Sequence, residues 1–251
     1  DSGVVNLSDT TVTTSEFLSV EGESALRIRD SVIREGLAVR GFGTVEITDS
    51  EIDGRIETAQ NGRMEITDCR ITAPAGAPGH TYIKNTGNGT LRISGTEARP
   101  GEIQNTGSAV LTLTGASKVT VSGDLYNTGR IQVEDAERLS DGGEITNQGT
   151  MNLTGGTVAR MVQKGGVLRM ENGIITDGCT VTGGRFEMMN GKLEPGSADA
   201  ALKVDCSGSE TADQNGVPVT EENADVTITG GTVLGTGTKK AFDVYGGRVW
   251  I

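Results

Sequence analysis

A short apolar-x-apolar pair, followed by Asp, Asn or Gly and then a small residue, recurs along almost the whole chain. It reads Leu7-Ser8-Asp9-Thr10, Ile28-Arg29-Asp30-Ser31, Ile47-Thr48-Asp49-Ser50 and Ile66-Thr67-Asp68-Cys69. It returns as Ile93-Ser94-Gly95-Thr96, Leu153-Thr154-Gly155-Gly156, Met170-Glu171-Asn172-Gly173 and Ile228-Thr229-Gly230-Gly231. The interval is about 20 residues, which is the signature of a solenoid. A unit this short cannot bury its own apolar face, so it must pack on its neighbours, and the 251 residues are expected to form one elongated domain spanning 1–251.

Within a unit the apolar residues alternate. Val45/Ile47 and Met151/Leu153 place two side chains on one face and leave the middle residue on the other, as in a β-strand. The middle residues are polar almost throughout: Asn6, Arg27, Glu46, Glu65, Arg92, Thr112, Gln132, Asn152, Arg169, Glu187 and Thr227. A second apolar spot follows at Val12, Val32, Ile52, Ile71, Val119, Leu139, Val158, Ile175, Leu193 and Val233. A third follows at Leu37/Val39, Ile56, Ile83, Ile103, Leu125, Ile145, Val162, Val181, Leu202/Val204 and Phe242/Val244. With 38 Gly, 5 Pro and only 3% aromatic residues, the composition suits many tight turns between short strands. The expected fold is all-β: a single-stranded right-handed parallel β-helix (β-solenoid) of about a dozen coils, three short strands per coil, with the hand taken from the bias of parallel crossovers.

The turns carry two further series. Asp9, Asp30, Asp49 and Asp68 hold one slot in four successive coils, where Asp, Asn and Gly share tolerance of the left-handed conformation. Stacked carboxylates also repel and invite a divalent cation, so the same column is a candidate calcium site. Asn85, Asn105, Asn127 and Asn147 recur in Asn-Thr-Gly or Asn-Gln-Gly after the third strand, and are expected to stack as an amide ladder that holds the register. The three cysteines leave at least one thiol unpaired. Cys69 stands where Ser31 and Ser50 stand in other coils and reads as a small turn residue. Cys179 reads as core, and a bridge between Cys179 and Cys206 is an open alternative.

The net charge of −12 disfavours nucleic acid and anionic membrane surfaces as partners. No apolar run of about 20 residues is present, so no membrane insertion is expected. Asp1 is not an initiator Met, and Arg248-Val249-Trp250-Ile251 reads as the first strand of a further coil. The chain is therefore expected to be a monomeric module excised from a longer protein. No residue set compels a reaction. The sole histidine, His80, sits in a Pro/Gly-rich stretch with no nucleophile signature around it. The Gly-Gly pairs lie in coil turns and not ahead of helices, which sets aside a phosphate loop. No stripe of aromatics is available to stack sugar rings.

Two stretches lengthen a coil, near 72–81 and near 205–224. Loops on a rigid scaffold are where binding residues concentrate. His80 and Tyr82 in the first, and Asp205, Glu210 and Asp213 in the second, are the candidate ligand-binding residues.

The forms Leu153-Thr154-Gly155-Gly156-Thr157-Val158 and Val226-Thr227-Ile228-Thr229-Gly230-Gly231-Thr232-Val233 resemble the repeats of secreted bacterial right-handed parallel β-helix proteins. That group includes adhesin-like surface proteins, carbohydrate-binding β-helices that hold acidic polysaccharide through calcium, and pectate-lyase-like enzymes. The stretch from Ala200 to Gly247 looks most like the carbohydrate-binding set. No catalytic motif of the lyases falls on residues of this chain, and their long cleft loops are largely missing. The resemblance implies a secreted or cell-surface location and a non-catalytic, adhesin-like stalk whose partner is a polysaccharide or a host or cell-surface protein. Calcium-assisted binding of acidic polysaccharide is the alternative it implies, and a polysaccharide lyase or glycosidase the more remote one.

Overall fold

The computed structural model describes residues 3–14, 17–72, 82–115, 117–121, 123–134, 139, 143–206, 210–212, 218–220 and 224–251, with side chains left aside at 210–212 and 218–220. His80 and Asp213 fall outside the described residues, as does the side chain of Glu210. The chain winds as a parallel β-solenoid. The first strands of successive coils make one twelve-stranded sheet from Val4–Ser8 to Arg248–Trp250, and the third strands an eleven-stranded sheet from Leu18–Val20 to Lys240–Tyr245. Twelve strands stacked at about 4.8 Å give a sheet about 50 Å long.

The second strands form two shorter sheets among the described residues. Six strands run from Thr11–Thr13 to Lys118–Val119, and four from Thr157–Val158 to Thr232–Val233. Leu139 bridges the two: Val121 N–H donates to its carbonyl at 3.0 Å, and its own N–H donates to Thr157 O at 2.7 Å. In the second insertion, Glu210–Ala212 and Pro218–Thr220 pair as an antiparallel hairpin. No helix among the described residues is long and apolar enough to cross a membrane.

Alternation sets the register. Arg27, Glu46, Glu65, Arg92 and Thr112 are direct partners across the first sheet and all point outward, while Leu26/Ile28, Val45/Ile47, Met64/Ile66 and Leu91/Ile93 beside them are buried. Each such side chain contributes about 1.5–3 kcal/mol on leaving water. A slip of one residue would expose the whole set, which is why a parallel stack of nearly identical coils has one register. Opposite charges meet along the outward row: Arg27 reaches Glu46 at 3.0 Å, Arg92 reaches Glu65 at 3.5 Å and Arg169 reaches Glu187 at 2.9 Å. These exposed pairs add at most about 1 kcal/mol each.

Three core positions differ from the sequence reading. In the second coil Ile33, not Val32, is the buried partner of Val12 and Ile52. In the third-strand column Met161, not Val162, continues from Ile145, followed by Cys179 and Leu202, so Val181 sits one slot further on. In the first two cases two apolar residues stand side by side in a strand of three or four, and alternation alone cannot rank them.

The slot after that column holds the polar core. Thr58, Asn85, Asn105, Asn127, Asn147 and Gln163 are direct strand partners, each fully buried. The asparagines are therefore inward-facing strand residues and not turn residues. Their amides join head to tail. Asn85 Nδ2 donates to Asn105 Oδ1 (2.8 Å), Asn105 to Asn127 (2.8 Å), Asn127 to Asn147 (2.6 Å) and Asn147 to Gln163 Oε1 (2.7 Å). The second amide proton goes to a backbone carbonyl, such as Val110 O from Asn85 and Thr150 O from Asn127. The ladder ends abruptly at its N-terminal side, where Asn85 Oδ1 and Thr58 Oγ1 are both buried without a hydrogen-bond partner. Thr58→Asn is expected to supply the missing donor and raise stability by about 1 kcal/mol, read as a higher urea midpoint at unchanged slope. An unchanged or lower midpoint would show that the slot does not accept the amide.

All three cysteines are thiols, so Cys179 and Cys206 are not bridged. Burial pushes the Cys179 thiol up to about 12 and is the main reason the Cys69 thiol rises to about 11, which keeps both protonated at neutral pH.

Candidate functional site

The first candidate is the corner that carries the Asp column. Asp9, Asp30, Asp49 and Asp68 have φ of 50, 47, 50 and 52°, and Gly95 and Gly115 continue the slot at 58 and 63°. What the column shares is the left-handed backbone, which Asp and Gly adopt readily. The next residue builds a second ladder. Ser31 Oγ donates to Arg29 O (2.7 Å) and accepts from Thr10 N–H (3.1 Å), and Ser50 Oγ donates to Thr48 O (2.7 Å) and accepts from Ser31 N–H (3.1 Å). Cys69 Sγ donates to Thr67 O (3.1 Å), and Thr96 Oγ1 accepts from Cys69 N–H (3.2 Å). Cys69 thus does the work of a serine in this turn.

Asp30, Asp49 and Asp68 rim an open depression of about 660 Å³, with Glu51, Arg70 and Glu97 beside them. Among the described residues, no group of three or more His, Cys, Asp or Glu side chains is arranged to hold a metal ion. Turn geometry accounts for the column, and it makes a definite forecast. Asp49→Asn is expected to change stability by no more than about 0.5 kcal/mol, whereas Asp49→Val is expected to cost about 1–3 kcal/mol, because a β-branched residue is strained at positive φ. Urea denaturation of the two variants distinguishes this from a charge-based role, in which both would be damaging.

The second candidate is a cleft of about 750 Å³ on the outer face of the third sheet. Its floor runs across the outward row Val162, Thr180, Lys203 and Asp243, which are strand partners. Glu144 and Arg160 are partners at one margin, Asp205 and Tyr245 at the other. Ala198 and Asp199, from the connection ahead of Ala200–Asp205, form a wall.

Most charges in the cleft are held in place. Arg160 Nη2 lies 2.9 Å from Asp177 Oδ2 and 3.2 Å from Ser197 Oγ. Partial burial alone would raise the Asp177 carboxyl, but hydrogen bonds from Ser197 and the Arg160 guanidinium outweigh it and hold it below the usual carboxylate range. Lys203 Nζ bonds Asp205 Oδ2 at 2.7 Å and stands 5.7 Å from the centre of the Tyr245 ring. The Asp205 hydrogen bond is the chief reason Lys203 titrates above its ordinary value. Lys240 Nζ reaches Asp243 at 2.6 Å, which raises Lys240 in the same way. Tyr245 is half exposed, with its ring available from solvent.

The residues picked out as ligand-binding are thus dispersed. Asp205 lines the cleft. Tyr82 lies on the same sheet six coils from Asp205, where its hydroxyl donates to Glu57 and its ring faces Arg55, 5.8 Å from the guanidinium. Burial is the first cause that raises the Tyr82 phenol, and Glu57 the second. Sequence reasoning missed Glu144, Arg160, Lys203, Asp243 and Tyr245 as a group. Their only common signal is the outward parity of each third strand.

No protein-family profile, curated protein or solved structure matches this chain.

Proposed function

We propose that this chain is a non-catalytic binding module: a rigid β-solenoid segment of a secreted or cell-surface bacterial protein that holds the third-sheet cleft toward an extended polymer, either a polysaccharide or a surface protein. The observation that carries this reading is the construction of the cleft. Apart from Asp199, its polar and charged side chains come from five consecutive coils and stand on paired strands, so their spacing is fixed by the sheet and not by loops. The second insertion starts from Asp205 at the edge of the cleft, and its far end is tied back beside it, where Ala224 N–H donates to Cys206 Sγ at 3.4 Å. The stack itself supplies length and stiffness, since each coil is tied to the next along both long sheets.

The test is an array of glycans and of surface proteins probed with the native chain and with Glu144→Ala/Tyr245→Ala. The expected result is at least one ligand class retained by the native chain and weakened about tenfold or more by the double variant, the loss expected when anchor residues of an interface are truncated. Ligands that bind both proteins equally would place recognition elsewhere and overturn the assignment.

A further inference from the structure

We infer that the cleft selects a cationic ligand, an extended peptide segment bearing Lys or Arg side chains, over neutral or acidic polymers. The inference rests on the cleft being the binding site proposed above. Four carboxylates line it (Glu144, Asp199, Asp205 and Asp243) against two cations (Arg160 and Lys203). Both cations are already engaged, Arg160 by Asp177 and Lys203 by Asp205. Two carboxylates have no such counterpart: among the described residues no ion pair holds Glu144, beside Arg160 at one margin, or Asp199, on the same flank in the connection ahead of Ala200. A ligand running along the cleft therefore meets two carboxylates that no ion pair neutralises, on one flank of the floor and three coils apart.

The aromatic at the C-terminal end adds an independent element. Tyr245 already carries an ammonium, that of Lys203, within cation–π distance of its ring, and the residue is about half exposed. The ring is thus placed beside two carboxylates, Asp205 and Asp243, in the way an alkylammonium group is bound. The wider field has the same sign. The net charge is −12, and the residues between Asp205 and Asp225 carry four carboxylates and no Lys or Arg. A polyuronate would have to enter against this field. A neutral glycan could donate hydroxyl hydrogen bonds to Glu144 and Asp199 but brings no opposite charge to them. An extended chain running along the solenoid axis crosses one coil per about 4.8 Å, so basic side chains about four residues apart match Glu144 and Asp199, which are three coils apart.

The experiment is calorimetric titration of the full chain with a peptide alternating Lys and Gly, with the same peptide carrying Glu for Lys, and with a neutral hexose oligomer. Binding of the Lys peptide alone is expected, weakened about tenfold by Glu144→Gln/Asp199→Asn and reduced strongly at high salt. Asp30→Asn/Asp49→Asn removes the same charge from the left-handed corner, where Asn is also tolerated, and is expected to leave affinity within about twofold. Equal weakening by the two double variants would reveal diffuse attraction and overturn the cleft assignment. If the neutral oligomer binds and is lost on Tyr245→Ala while the Lys peptide does not bind, the cationic class is wrong and the cleft remains a binding site. If nothing binds here and the arrays also show nothing dependent on the cleft, both readings fail together.

Discussion

Asn127→Asp is expected to destabilise the solenoid by about 3–5 kcal/mol at neutral pH, the range for a buried charge left without its partner. The substitution changes one atom pair. Asn127 is fully buried, accepts from Asn105 at 2.8 Å, and donates to Asn147 Oδ1 at 2.6 Å and to Thr150 O at 3.2 Å. A carboxylate keeps the acceptor and loses both donors, so two oxygens face each other where an amide proton stood. The effect depends on pH in a direction opposite to that of an ordinary Asp. Burial and the facing oxygens raise the carboxyl pKa of the folded variant above the unfolded value of about 3.9. The penalty is therefore full above the folded pKa. It shrinks as pH falls through that value, because the protonated acid again donates to Asn147. Urea denaturation across pH, against the native chain measured in parallel, reads the difference. A variant whose deficit is constant with pH, or below about 1 kcal/mol, would mean that the ladder fills space without bonding.

The ladder also shows what the sequence makes legible and where it misleads. Asn is read as a turn former because its side chain mimics a backbone turn, and Asn-Thr-Gly after a strand fits that habit. The contrary signal is parity. Ile83-Lys84-Asn85, Ile103-Gln104-Asn105, Leu125-Tyr126-Asn127 and Ile145-Thr146-Asn147 place each Asn two residues after a core position, on the buried face. Met161-Val162-Gln163 obeys the same rule, which extends the ladder by a coil that composition conceals. The first sheet was legible to the residue, because five-residue strands give two apolar positions with one polar residue between them. Second strands of two or three residues carry too little alternation to separate Val32 from Ile33. The cleft was invisible for a different reason. Glu144, Arg160, Lys203 and Asp243 are each ordinary exposed residues in their own coil, and only the stacking distance, smaller than any loop in the sequence suggests, turns them into neighbours.

Gly36→Ala is expected to cost about 3 kcal/mol or more, through backbone strain and a collision that nothing nearby can relieve. Gly36 has φ of 107°, and an added Cβ would stand 2.2 Å from Arg55 O and 2.5 Å from Arg55 N. Both atoms are backbone, and Arg55 is the strand partner of Gly36, so retreat would break the ladder between Gly36–Val39 and Arg55–Thr58. The same corner recurs one coil on, where Gly54 has φ of 120° and its Cβ would meet Glu35 backbone at 2.7 Å. Gly22 separates the two contributions. Its φ of 69° carries the conformational penalty, but nothing lies within 4 Å of the Cβ position, so Gly22→Ala is expected to cost only about 1 kcal/mol. Because each coil contacts only its neighbours, the damage from Gly36→Ala should stay local. Hydrogen exchange is expected to quicken in the coils around Leu37 and Ile56 and to remain slow around Leu202, and ligand binding at the Lys203–Tyr245 cleft is expected to survive. Loss of protection along the whole stack would instead mean that the solenoid folds as one cooperative unit, and that the cleft depends on coils that never touch it.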